Sequence, residues 1–202
     1  MPAFKSLSLL ALGATLLTAC SSQAPDEPLE GDVSTSQITV EGVPGGVSTV
    51  VEKISAVVTA IDYDKRSFTL EDEAGHRRAV QAGPEMINFP QLKVGDKVYA
   101  TIALEQLVFL GEPGEATQHG AAGLLATAPA GAKPGMLLAD TLEVTAVVKA
   151  FDTAQHTATL EFADGSHKTV AVRPDVQLKP EYLGRQVVIR LSTALAIRVE
   201  AQ

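Results

Sequence analysis

His76, Met86 and Phe89 lie close together along the chain and carry the side chains best suited to hold a small ligand or a soft metal ion. A thioether is a soft donor that selects cuprous copper, and an imidazole accepts several transition metals. Two of the three fall in the stretch GPEMINFPQLKVGDKV, residues 83–98. A second kind of chemistry sits at Cys20, the one cysteine of the chain. A single cysteine excludes an internal disulfide or a thiolate metal cluster, and it would be an exposed reactive thiol unless acylated. The other histidines, His119, His156 and His167, form no pair at metal-ligand spacing, so neither a metal site nor a cofactor is expected. Four acids recur in register, Asp62 with Asp152 as turn caps and Glu71 with Glu161 on strand surfaces. No set of nucleophile, base and orienting group can be assembled from these residues, which argues against an enzyme.

A duplicated framework carries these candidates. Subtracting 90 from the residue number superimposes Ala146, Val147, Val148, Ala150 and Asp152 on Ala56, Val57, Val58, Ala60 and Asp62. The same register pairs Thr159-Leu160-Glu161 with Thr69-Leu70-Glu71, and Pro174 with Pro84. There are 13 identities over residues 44–84, where ordinary composition gives about one in fifteen by chance, so the duplication is real. One residue is lost after Pro180, and Gly184 and Val187 then match Gly95 and Val98. Met86 is matched by Val176, which favours an apolar plug at that position over a ligand. His156 and His167 stand where the first copy has Arg66 and Arg77, and read as solvated turn and outward strand sites.

Within each copy the apolar residues recur at every second position. Ile54, Ala56, Val58 and Ala60, matched by Val144, Ala146, Val148 and Ala150, predict a half-buried strand whose alanines suit a narrow interior. Second strands follow at 67–72 and 157–162, third strands at 77–82 and 167–173, and the Asp164-Gly165 and Ala74-Gly75 steps mark hairpins. Alternation at Val98, Ala100 and Ile102 and at Val187, Ile189 and Leu191 gives fourth strands, and Val108 to Leu110 and Leu195 to Val199 give fifth strands. The pattern predicts an all-β protein of two tandem five-stranded small antiparallel barrels, OB-like, with an SH3-like barrel as the alternative. Domain limits follow at 44–110 and 134–200, separated by a Gly/Ala/Pro-rich linker over 111–133 with at most a short element at Leu124-Leu125.

The N-terminal segment has one lysine, Lys5, and an apolar run from Leu7 to Leu17 too short to span a bilayer, the layout of an export signal over residues 1–19. Its end, Leu17-Thr18-Ala19-Cys20, resembles a bacterial lipobox, which implies lipidation of Cys20 and a membrane anchor. Serine at position 21, where lipoproteins retained in the inner membrane carry aspartate, implies the outer membrane, facing the periplasm. Residues 20–43 behind the lipid are acidic and proline-bearing and read as a disordered tether. The formal charge of −8 and the lack of tryptophan argue against nucleic acid as a partner.

Pro84, Met86, Phe89 and the run Lys93 to Val98 resemble the small periplasmic copper-carrier barrels, whose motif is Trp-Pro-x-Met-x-Met-x-Phe followed by Lys-Val-Gly-Asp-Lys-Val. Here Gly83 stands at the tryptophan and Asn88 at the second methionine. The first-strand phrase from Thr145 to Asp152, the Lys93-Val94-Gly95-Asp96 turn and Thr193 to Ile197 resemble an uncharacterised class of tandem small-barrel lipoproteins of the Gram-negative envelope. That resemblance implies the fold and the address but no activity. The expected function is a non-catalytic, lipid-anchored, periplasm-facing binding or scaffold module with an envelope protein as partner. The alternative is a carrier of copper or another small ligand on the Met86 loop.

Overall fold

The computed structural model describes residues 27–111 and 120–202. The expected signal peptide, Cys20 and His119 lie outside the described residues. Ten strands form: β1 Gly31–Ile38, β2 Gly45–Asp62, β3 Ser67–Asp72, β4 Arg77–Gln81, β5 Lys97–Leu110, β6 Gly120–Thr127, β7 Gly135–Asp152, β8 Thr157–Phe162, β9 His167–Ala171 and β10 Gln186–Glu200. Two 3-10 turns, Phe89–Gln91 and Pro180–Tyr182, each carry a proline in their first residues, where its missing N–H leaves no bond unmade.

All ten strands belong to one antiparallel sheet of order β4-β3-β2-β5-β10-β7-β8-β9, with β1 on β2 and β6 on β7. The all-β expectation holds, and the strands of the two copies are joined rather than set in two separate barrels. Each copy contributes five strands, but not the five expected. The fourth and fifth strands of the first copy are one continuous β5, and those of the second are one continuous β10. The remaining strand comes from the front, because residues 31–38 of the supposed tether and 120–127 of the supposed linker pair along β2 and β7.

The two copies meet along β5 and β10. Leu104 faces Thr193, and the offset of 89 that relates the copies maps Leu104 onto Thr193. That pair is therefore its own image when the copies are exchanged, and a local two-fold axis passes through it. β2 and β7 are long enough to serve two neighbours on one edge, β1 then β3 along β2 and β6 then β8 along β7. A bulge interrupts each at the same place, between Val58 and Ala60 and between Val148 and Ala150. An extra residue reverses which side chains face inward. Ala56 and Val58 are buried before the bulge, Ala60 is exposed after it, and Ile61 turns back to the core.

Each end of the sheet has its own core, and each core borrows from the other copy. The first gathers Val58, Phe68, Leu70, Phe89, Leu92 and Val98, with Ile197 and Val199 of β10 packed against it. The second gathers Ala146, Val148 and Leu160, with Leu110 of β5 packed against it. The turn leading into β2 likewise crosses to the far copy. Arg173 Nη2 donates to the carbonyls of Val40 and Val43 at 3.0 and 3.1 Å, and Gly42 N–H donates to Asp175 at 3.0 Å. The β6–β7 turn is held in return by the first copy, as Asn88 donates to the carbonyls of Ala128 and Pro129 and accepts from Gly131 N–H. Lys133 completes that contact on Asp96 at 2.5 Å.

Candidate functional site

The three residues singled out by type fall into two different surroundings. Phe89 is 1% exposed and sits at the centre of the first core. Tyr63 meets it edge-on at 5.7 Å, and the Arg66 guanidinium lies 5.2 Å from its ring centre. Met86 is partly buried against the same core, and its carbonyl accepts a hydrogen bond from Arg66 Nη2 at 3.0 Å. Arg66, the residue of positive φ (51°) that ends the β2–β3 turn, thereby fixes the whole Met86 loop, with a second bond to the Gly83 carbonyl at 2.8 Å. In the second copy Val176, 2% exposed, fills the Met86 position as the apolar plug that the duplication implied.

His76 belongs to a clasp instead. Its Nδ1 lies 3.0 Å from Asp72 Oδ2, and its Nε2 lies 3.9 Å from Glu27. Asp72 also accepts the Glu30 and His76 backbone N–H groups at 2.8 and 2.9 Å. The Glu30 N–H bond above all, with the two His76 contacts, holds the Asp72 carboxyl down at about 2, while the Asp72 hydrogen bond raises the His76 imidazole. The clasp ties the chain just before β1 to the β3–β4 hairpin. His156, expected at a solvated turn, lies 3.0 Å from the Arg173 carbonyl, and His167 pairs with Glu161 at 3.1 Å. No group of three His, Cys, Asp or Glu side chains converges among the described residues.

The site that sequence reasoning missed lies in the second copy. Where the first core holds Phe68, the second has Ala158, and Lys179-Pro180 spans the position of Phe89. Phe151 in place of Ile61 restores only part of the lost volume. What remains is a cavity of about 390 Å³ walled by Val108, Leu110, Val148, Phe151, Leu160 and Ile189. Val148 and Leu160 are buried, which marks the inner end, whereas Gln37 and Gln106 are exposed and mark the mouth. The size falls within the range of small-molecule sites, about 300–1,000 Å³, and the apolar lining with few polar groups is their usual character.

The β1–β2 turn roofs the cavity with Thr39, Pro44, Gly45 and Gly46. Gly45 has φ +100°, and a Cβ there would run into the Val108 carbonyl, so only glycine lets the turn close on β5. Arg173 latches the roof. Its Nε and Nη2 are bound to Asp175 at 3.0 and 2.9 Å, and its Nη1 donates to the Gly45 carbonyl. The mismatch of Phe68 with Ala158 in the aligned copies was the sequence signal that could have located the cavity. Comparison with known protein families, with curated proteins and with solved structures finds no match.

Proposed function

We propose that this chain is a non-catalytic binding module of the bacterial cell envelope, anchored to the outer membrane by acylated Cys20 and facing the periplasm. Its ligand site is the apolar cavity of the second copy, not the Met86 loop. One observation carries the reading: two copies of one sequence pattern differ in that one core is filled by Phe68 and Phe89 and the other is hollow at the same place. An unfilled apolar cavity costs stability, roughly 24 cal/mol per Å³ in engineered cases, so a hollow core opposite a filled one has a use. Each copy is further read as a partly open, OB-like barrel. Glu27 N–H donates to the Arg77 carbonyl at 3.1 Å, which bends the chain before β1 back toward β4 and supports that curl.

The test uses the mature chain with Cys20→Ser, which retains every described residue, and an uncharged fluorophore that brightens in apolar surroundings. One fluorophore per chain is expected to bind, and Ala158→Phe, which restores the aromatic of the first copy, is expected to abolish binding while raising the melting temperature. Unchanged binding in a folded Ala158→Phe variant would remove the cavity as the site.

A further inference from the structure

Resting on that reading, we infer that the ligand is a single-chain amphiphile with an uncharged ester or amide head. The cavity sits near the lower end of the usual range and ends on the buried Val148 and Leu160, so it takes one acyl chain rather than two. The mouth determines the head. Gln37, Ser48 and Gln106 are direct cross-strand neighbours on β1, β2 and β5, and all three line the cavity. Residues paired across an antiparallel ladder project to the same face, so two amides and a hydroxyl form one polar row above an apolar interior. Among the described residues none of the three side chains hydrogen-bonds to another group of the protein. Each can donate and accept, which suits a carbonyl and a hydroxyl or amide N–H.

Among the described residues that line the cavity, none is a cation free to neutralise a carboxylate or phosphate. Arg173, the charged residue in the lining, spends its Nε, Nη1 and Nη2 on Asp175 and on the carbonyls of Val40, Val43 and Gly45. Lys179 nearby is paired with Glu181 at 3.7 Å and lies over the Tyr182 ring. With a formal charge of −8 on the chain, an anionic head meets repulsion and no unpaired cation among the described lining residues. Beyond the mouth the row turns apolar, since Gln106 pairs with Leu191 and Leu191 with Leu142, both exposed.

The experiment is competition against the bound fluorophore by a monoacylglycerol and by the free fatty acid of the same chain length. Both are kept below their critical micelle concentrations, at a pH where the acid is ionised. The monoacylglycerol is expected to compete at least about tenfold better, a difference of about 1.4 kcal/mol. The double variant Gln37→Leu with Gln106→Leu is expected to erase that preference, each lipid being scaled to the variant's own fluorophore affinity, and a preference kept in full would overturn the polar row as its source. Equal or stronger competition by the fatty acid overturns the uncharged head. Competition by neither lipid overturns the amphiphile, with fluorophore binding still upholding the cavity. Absence of fluorophore binding overturns the cavity reading itself.

Discussion

At the scale of single residues, Asn88 has a structural task between the two copies. Its side chain is 5% exposed, and it spends both amide functions on the β6–β7 turn, at 2.8 and 3.2 Å as donor and 3.0 Å as acceptor. Asn88→Leu, which copies Leu178 of the second half, removes the partners of two carbonyls and one N–H at once. A loss of about 1–3 kcal/mol is expected in urea unfolding, with no change in fluorophore binding at the distant cavity. The Asp72–His76 clasp makes a second expectation, in pH. Asp72, lowered to about 2, contributes stability that is present above its ordinary 3.8 and fades as pH falls toward that lowered value. His76, raised, contributes stability that is complete below its ordinary 6.5 and fades as pH rises through the elevated value. The clasp is therefore strongest between those two ordinary values, and His76→Asn is expected to flatten the alkaline side of a melting-temperature profile. An unchanged alkaline slope would assign the pH dependence elsewhere. Residue type alone led to His76 and Met86, and Met86 lies partly buried against the first core. The partner of His76 was hidden because Asp72 is matched by Phe162 in the second copy, so the duplication gave no hint of a conserved acid there.

Strands were legible wherever one face is buried. Period-two alternation located β2 from Ile54 onward, β3, β4 and the starts of β5 and β10, because burial on one side imposes that period. It failed at β1, whose residues from Asp32 to Ile38 are all exposed, and at β6, whose eight residues are all exposed. Without a buried face neither strand carries a pattern, and Gly, Ala, Ser and Thr there read as tether and linker. These two strands matter to function through the turns that follow them. The β1–β2 turn roofs the cavity and is held by Arg173, whereas the β6–β7 turn is held by Asn88 and by Lys133 on Asp96. Arg173→Ala removes every bond from that guanidinium to the roof and leaves Gly42 N–H on Asp175 as the remaining tie. The Arg173–Asp175 pair is partly exposed, so solvent screens it and the ion pair itself contributes little to stability. The expected effect lies in exchange: residues 39–46 should gain amide hydrogen exchange, and the fluorophore should leave faster than from the parent chain. Unaltered exchange in that segment would show that Gly45 and its fit onto Val108 suffice to hold the roof.

At the scale of the whole molecule, the duplication was plain in the sequence but its geometry was not. Identities at an offset of 90 report common descent, and two independent barrels or one interlocked sheet satisfy them equally. The register that decides is the pairing of β5 with β10, and it lies between residues about 90 apart whose alternation is the same in either arrangement. With that pairing, Leu110 completes the second core and Ile197 and Val199 complete the first. Neither copy therefore closes its own apolar face. Cutting the chain within residues 112–119 leaves β5 and β10 as bare edges, each stripped of a full ladder, and exposes Val98 on one side and Val187 on the other. Exposed apolar edges of that length associate rather than remain free in solution. Residues 20–111 and 120–202, produced separately, are each expected to stay unfolded or to self-pair through the edge strand, the first as a β5–β5 dimer about the two-fold position at Leu104. Produced together, they are expected to form a one-to-one complex that binds the fluorophore as the intact chain does, because the cavity needs Val108 and Leu110 from the first piece and Val148 and Leu160 from the second. The intact chain is then expected to unfold in one transition, followed by heating with both circular dichroism and the fluorescence of Tyr63, Tyr99 and Tyr182. Two separated transitions, or a second piece that folds and binds alone, would mean that each copy stands as its own barrel and that the shared sheet contributes little to either core.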